Sequence, residues 1–295
     1  MTKNSETIGT LQIFLVALLW GMFPVVVNKG SQHISPLFFA ATSVFVGAIT
    51  ATIISLIKKN LKEITNKKAW KFGIIVALAS TTFPYALMFI GSQLTSGINT
   101  AALLLSEIIF TLTITPFLGE KPGIYKTLSG FLVLTGAFMI LFKGGSGSGI
   151  NTGDILIFFS TLSLPFGNYF GKKALAYITG ENLLIIRYLV GGIFLLLMSF
   201  TFEDKTAFIS SSKEYWPYIA INGILLLGLT NTLWYKGLKK LEVSKAISIL
   251  MTYPFFSLIF LMIFYKEKPS FYQLLGLIII VMGGFFSARS GKTRN

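Results

Sequence analysis

The chain has 295 residues, 53% of them apolar and 12% charged, with a mean hydropathy of +0.73. Soluble domains are about 25% charged, so this composition belongs to a polytopic membrane protein. The absence of Cys excludes disulfides and thiolate metal sites, and one His (His33) argues against a histidine-built metal centre or a Ser-His relay.

Ten apolar runs follow one another at roughly 8–28, 36–57, 72–91, 98–118, 124–142, 153–172, 182–202, 216–235, 244–265 and 271–288. The first is full length and has no small-residue cleavage pattern after it, so it reads as a retained helix and not a signal peptide. It carries Trp20 and a helix break at Phe23-Pro24. Run three holds a similar break at Phe83-Pro84, followed by Tyr85. Run four begins near Asn99 and contains one carboxylate, Glu107, with no Lys or Arg near it in sequence. At ~1.5 Å per residue from Thr100, Glu107 lies ~10 Å into the hydrocarbon. A charge there costs on the order of 3 kcal/mol, so it must face protein or a wet cavity. The run closes on Gly119-Glu120-Lys121-Pro122.

After run five, the Gly/Ser-rich stretch 144–150 reads as a flexible linker between two groups of five helices, 1–143 and 151–295. Run six has Pro165 and Gly167 ahead of Asn168, an interruption expected to free backbone groups for a solute. Run seven contains Arg187, close enough to its start to snorkel to the interface, a role favoured over its alternative of binding a solute carboxylate. Run eight carries Asn231 and Trp234, and run nine carries Tyr253-Pro254 and ends in a second Glu-Lys-Pro. Trp70 and Trp216 read as interfacial belt residues, and anchoring also competes for Trp234. The glycines permit close helix contact, and no phosphate-loop pattern occurs.

The bases orient the bundle. With both termini and the even-numbered loops on the cytoplasmic side, that side carries 18 Lys and Arg and the other carries 6. This asymmetry accounts for most of the net charge of +14 without nucleic acid. Five spans per half make the second half enter from the opposite face, the inverted-repeat logic of many secondary transporters. The segments from Glu120 and Glu267 align without a gap at an offset of 147, matching Pro122 with Pro269 and Gly136 with Gly283, and Gly91 meets Gly237 at 146. The fold expected is therefore all-α and membrane-embedded, ten transmembrane helices as two inverted five-helix repeats.

The opening FLVALLWGMFPVVVNKG, the LGEKP and YKEKP helix ends, and the segments PLFFAATSVFVGAI and ENLLIIRYLVGGI resemble the ten-helix, EamA-like form of the drug/metabolite transporter superfamily. That resemblance covers nearly the whole chain. It implies a secondary carrier whose helices one, three, four, six, eight and nine surround a midplane cavity. Two positions depart from the family pattern: Ser43 stands where helix two usually has Arg, and Glu107 stands at the repeat position of Pro254.

The candidate solute-binding residues are Trp20, Tyr85, Asn99, Glu107, Asn168, Asn231, Trp234 and Tyr253. The aromatic members can form a cage for a flat or cationic solute. The amides either bind solute or join helices. Glu107 either binds a cationic group, carries a coupling proton, or partners Arg187 or Thr111 within the bundle. The expected function is secondary transport, favouring export, of a small metabolite across the cytoplasmic membrane, with an amino acid or related amine favoured and proton coupling through Glu107. No cofactor, metal or nucleic-acid partner is expected, and the protein is expected to work as a monomer or homodimer in lipid. A lipid scramblase or membrane scaffold would leave Glu107 without a use. A membrane enzyme would need a cluster of His, Asp or Cys that the sequence lacks.

Overall fold

A computed structural model of the chain describes residues 3–119, 123–142, 151–204, 214–266 and 269–289. The expected linker 144–150 and the turn residues Glu120, Lys121, Pro122, Glu267 and Lys268 lie outside these segments. Helices occupy all ten expected runs, and no strand occurs among the described residues. In chain order they are α1 (Ser5–Ser31), α2 (Pro36–Ile57), α3 (Lys67–Leu94), α4 (Gly97–Ile114), α5 (Ile124–Phe142), α6 (152–174), α7 (Gly180–Phe202), α8 (Glu214–Leu238), α9 (Lys245–Phe264) and α10 (Phe271–Arg289). Seven of them, α1–α4 and α7–α9, are long and apolar enough to cross a membrane. α5 and α10 have 19 residues each, ~28 Å of helix and close to the hydrocarbon thickness. The chain is an all-α, multi-pass membrane protein.

The repeat is visible in which helices meet. α5 packs on its mate α10, and α2 packs on its mate α7. The remaining contacts come in exchanged pairs: α3 on α6 answers α8 on α1, and α2 on α8 answers α7 on α3. Glycines mark the symmetry atom by atom. A Cβ on Gly136 would come within 2.4 Å of the Gly276 carbonyl, and one on Gly283 within 3.0 Å of the Ser129 carbonyl. At one membrane face Gly91 crosses Gly153, where a Cβ would meet the opposing carbonyl at 2.8 Å. At the opposite face Gly237 crosses Gly9 and Ile13, the latter only 2.5 Å from an added Cβ. Side chains at these four crossing positions would hold the helices apart.

α4 ends earlier than its apolar run suggests. The helix stops at Ile114, and residues 115–119 form a turn that closes on Gly119 at φ +91°. Its mate 147 residues on, Lys266, also has positive φ, +54°. Both positions immediately precede a Glu-Lys-Pro, so the shared terminator is a left-handed residue, which glycine adopts without strain and lysine does not.

The helices divide into two kinds. α2, α5, α7 and α10 are uninterrupted. The other six are broken toward their middle: α1 at 21–22, α3 by a π turn at Leu78–Thr82, α4 by a 3₁₀ turn at Leu104–Ser106, α6 by one at Thr161–Ser163, α8 by a π segment at Ile221–Thr230, and α9 at 251–252. Pro24, Pro84, Pro165 and Pro254 each stand at the first or second position of the helix that resumes. Proline has no N–H to bond backwards, so the preceding carbonyl is left open and the helix restarts there. In α4 the helix restarts at Glu107, the repeat position of Pro254. α8 restarts at Asn231.

The uninterrupted pair α2 and α7 is pinned at both ends by carboxylates. At one end Glu203 accepts from the backbone N–H groups of Leu37 (2.6 Å) and Phe38 (2.9 Å), capping α2. At the other, Glu181 accepts from Lys58 Nζ and Asn60 Nδ2, both at 2.8 Å, and Glu63 accepts from Thr179 N at 2.7 Å. The bonds from Leu37, Phe38 and Thr179 satisfy backbone donors at the helix starts, and those to Glu181 tie the end of α2 to the start of α7.

Candidate functional site

The six broken helices enclose a central cavity, whose volume with its open side included is about 680 Å³. Trp20 and Phe23 of α1, Tyr85 of α3, Glu107 of α4 and Asn168 of α6 line it, as do Asn231 and Trp234 of α8 and Tyr253 of α9. Seven of the eight expected residues are thus brought together. Asn99 is not among them. It lies in the first turn of α4, where its Nδ2 donates to Thr95 Oγ1 and to Asp154 Oδ1, both at 3.3 Å. Asp154 belongs to the capping box of α6, so Asn99 joins two helix starts at one face.

Glu107 is buried, and its Oε1 accepts a 2.9 Å hydrogen bond from Asn168 Nδ2. That bond crosses from the first repeat to the second, and from one helix break to another. The neighbouring breaks are also joined directly, through Ser106 Oγ and Thr161 Oγ1 at 2.8 Å. Neither Arg187 nor Thr111 is a hydrogen-bond partner of Glu107.

The aromatic residues surround this pair. Trp20 stacks on Phe23 with ring centroids 4.3 Å apart and 7° between planes, and Phe23 leans on Tyr85 at 6.1 Å. Trp234, for which interfacial anchoring competed, is 5% exposed and faces the cavity. Trp216 is exposed, as a belt residue should be, whereas Trp70 is half-buried and donates to the Ile64 carbonyl at 2.8 Å.

Arg187 departs from its expected place. It does not snorkel: it is 5% exposed and lines the cavity from α7. Its Nε donates to Thr81 Oγ1 at 2.7 Å, one terminal nitrogen to Tyr235 OH at 3.2 Å, and the other to Ser80 O and, at 3.3 Å, Tyr85 OH. The cause is the π turn of α3, which presents Ser80 and Thr81 at the depth of Arg187. Gly191 carried the legible signal. Four residues after Arg187, it shares the same helix face, and a Cβ there would meet Thr81 at 2.7 Å.

The backbone groups at the breaks are also engaged differently from expectation. Ser257 Oγ donates to Gly21 O (2.7 Å), Ser163 Oγ to Ala79 O (2.7 Å), Tyr253 OH to Ala101 O (2.9 Å), Asn231 Nδ2 to Leu226 O (3.2 Å) and Tyr188 OH to Leu227 O (2.9 Å). Side chains consume these carbonyls because a bilayer interior offers no water to do so. The cavity therefore meets a solute mainly with side chains.

The EamA-like transporter family model matches residues 7–142 and again 151–289. The chain belongs to the EamA-like transporter family. With the family comes the drug/metabolite transporter superfamily, and the protein is a multi-pass membrane transporter, not an enzyme. It is 28% identical over 283 residues to the uncharacterized transporter YoaV of Bacillus subtilis (strain 168), covering 94% of this chain and 95% of that one. It is 24% identical over 291 residues to an uncharacterized transporter of Archaeoglobus fulgidus, covering 96% and 98%. A solved crystal structure with 17% identity superposes at a TM-score of 0.74 over 95% of this chain and 98% of that one, which shows a shared fold. In this EamA-like chain the six helices named by the resemblance do enclose the cavity, and α7 adds the guanidinium that the resemblance did not place there.

Proposed function

We propose that this EamA-like protein is a secondary carrier that moves a small amine-bearing metabolite, an amino acid or related amine, through the central cavity by alternating access. The observation that carries the proposal is Glu107. It is a buried carboxylate at the midpoint of a spanning helix, facing the cavity and held by one neutral amide donor. A carboxylate so placed attracts a cationic amine or a proton, and competition between the two couples solute movement to a proton gradient. The aromatic wall of Trp20, Tyr85, Trp234 and Tyr253 supplies the apolar and cation–π surface for the rest of the solute. Alternating access uses the two glycine crossings, Gly91 with Gly153 at one face and Gly237 with Gly9 at the other, parting in turn. The bias in Lys and Arg favours cytoplasmic termini in the cytoplasmic membrane, and export is the direction proposed.

The test is uptake of labelled amino acids and amines into proteoliposomes, for the natural protein and Glu107→Gln, with and without a proton gradient. The natural protein should accumulate at least one amine-bearing solute when a gradient is imposed. Glu107→Gln should lose gradient-driven accumulation, by 10-fold or more, while retaining its folded yield. Accumulation by the variant at the natural rate would remove Glu107 from the site.

A further inference from the structure

We propose that Arg187 forms a second, oppositely charged pole of the cavity that binds the carboxylate of the solute, so that the site selects molecules carrying both an amine and a carboxylate over the amine alone. The inference rests on reading the Glu107 cavity as an amine site and specifies what the other end of that solute must be.

Three observations support it. First, Arg187 is 5% exposed, yet none of its partners is a carboxylate: Thr81 and the two tyrosines offer hydroxyls and Ser80 a carbonyl. A buried cation hydrogen-bonded only by neutral groups can still take an anion, whose charge-assisted bonds offset part of its desolvation. Second, the guanidinium is held rigidly at one end of the cavity. Its central carbon lies 5.3 Å from the Tyr188 ring centroid and 5.9 Å from that of Tyr85. Of its five donors the four bonds above use four, and the remaining N–H is on the terminal nitrogen bonded to Tyr235. Third, Ser80, whose carbonyl holds Arg187, lines the same cavity, while its hydroxyl is packed against Gly167. The remaining arginine N–H suits a carboxylate oxygen.

Glu107 and Arg187 face one cavity without bonding each other. Asn168 holds the first and the α3 π turn holds the second, so the two charges are kept apart. A solute with an ammonium and a carboxylate can meet both. An amine meets Glu107 only and leaves Arg187 with its neutral partners.

The experiment measures binding to the purified, reconstituted full chain of three matched sets of probes. They are leucine with 3-methylbutylamine and 4-methylpentanoic acid, phenylalanine with 2-phenylethylamine and 3-phenylpropanoic acid, and lysine with cadaverine and 6-aminohexanoic acid. The natural protein should bind at least one amino acid 10-fold or more tightly than its amine, and Arg187→Gln should erase that preference while still binding the amine. Arg187→Lys, which keeps the charge but not the planar fork, should retain part of it. Equal affinity for amino acid and amine in the natural protein, or a preference that survives in Arg187→Gln, overturns the anion pole and leaves the amine reading standing. Binding of 4-methylpentanoic or 3-phenylpropanoic acid, which carry no amine, as tightly as of the matching amino acid supports Arg187 and overturns the amine role of Glu107. Binding of no probe overturns both. The comparison within the natural protein decides the matter even if Arg187→Gln fails to fold.

Discussion

The four unbroken helices and the six broken ones solve the bilayer problem in opposite ways. α5 and α10 keep their backbone bonds inside each helix and meet through glycines, with Gly136 against Gly276 and Gly283 against Ser129. α2 and α7 also keep their backbone bonds inside each helix, with Glu203 and Glu63 capping their starts and Glu181 tying their facing ends together. The broken helices give up internal bonds near mid-depth and recover them from side chains on facing helices, as when Ser257 reaches Gly21 or Tyr253 reaches Ala101. The first arrangement makes a frame whose carboxylate caps stand at its ends. The second concentrates polar side chains at the centre of the membrane, where a solute must pass, and makes them depend on the relative position of two helices. The proposed transport role is assigned to the second set because its bonds can be exchanged between helices. α7 belongs to the frame by its backbone and to the site through Arg187.

Substitutions in the frame should change stability and leave transport by each folded molecule alone. The largest expected effect is that of Gly136→Leu. Its side chain would start 2.4 Å from a backbone carbonyl that no rotamer change can move, so the variant should lose roughly 3 kcal/mol or more and most of its folded yield in thermal unfolding. Natural stability in that variant would mean that α5 and α10 do not form the seam described. A smaller loss, about 1–2 kcal/mol, is expected for Glu203→Ala, which uncovers two N–H groups at the start of α2. Its transport rate per folded molecule should equal that of the natural protein. A large transport defect at natural stability would show that the cap belongs to the moving part.

The frame was the more legible region in the sequence. Apolar runs, the paired Glu-Lys-Pro endings and the 147-residue spacing of Gly136 and Gly283 are local or periodic features, and they translate directly into helices and their pairing. Breaks at Pro24, Pro84 and Pro165 were legible too, because proline acts on its own backbone. The π segments flanking Asn231 and around Ser80 were not, since no residue there forbids a regular helix and facing side chains stabilise the departure. Glu107 stood out as a lone carboxylate in an apolar run. Arg187 was misplaced because its distance from the helix start was weighed without its face, and that face depends on α3. Asn99, an amide near the start of run four, lies instead in the helix-start network of Thr95 and Asp154, which its sequence position alone does not reveal.

The measurement that tests the division most directly uses the fact that the chain has no cysteine. Single cysteines at Met88, Leu164 and Leu250 on the cavity wall, and at Phe138 and Ile278 on the outer surfaces of α5 and α10, would be exposed to a charged, membrane-impermeant thiol reagent in reconstituted protein. Thiols react as thiolates, which form in water and not in lipid. The cavity positions should be labelled and then protected by a bound amino acid, while Phe138→Cys and Ile278→Cys should stay unreactive. Equal labelling of both groups, or no labelling and no protection on the cavity wall, would contradict the assignment of the solute path to the six broken helices.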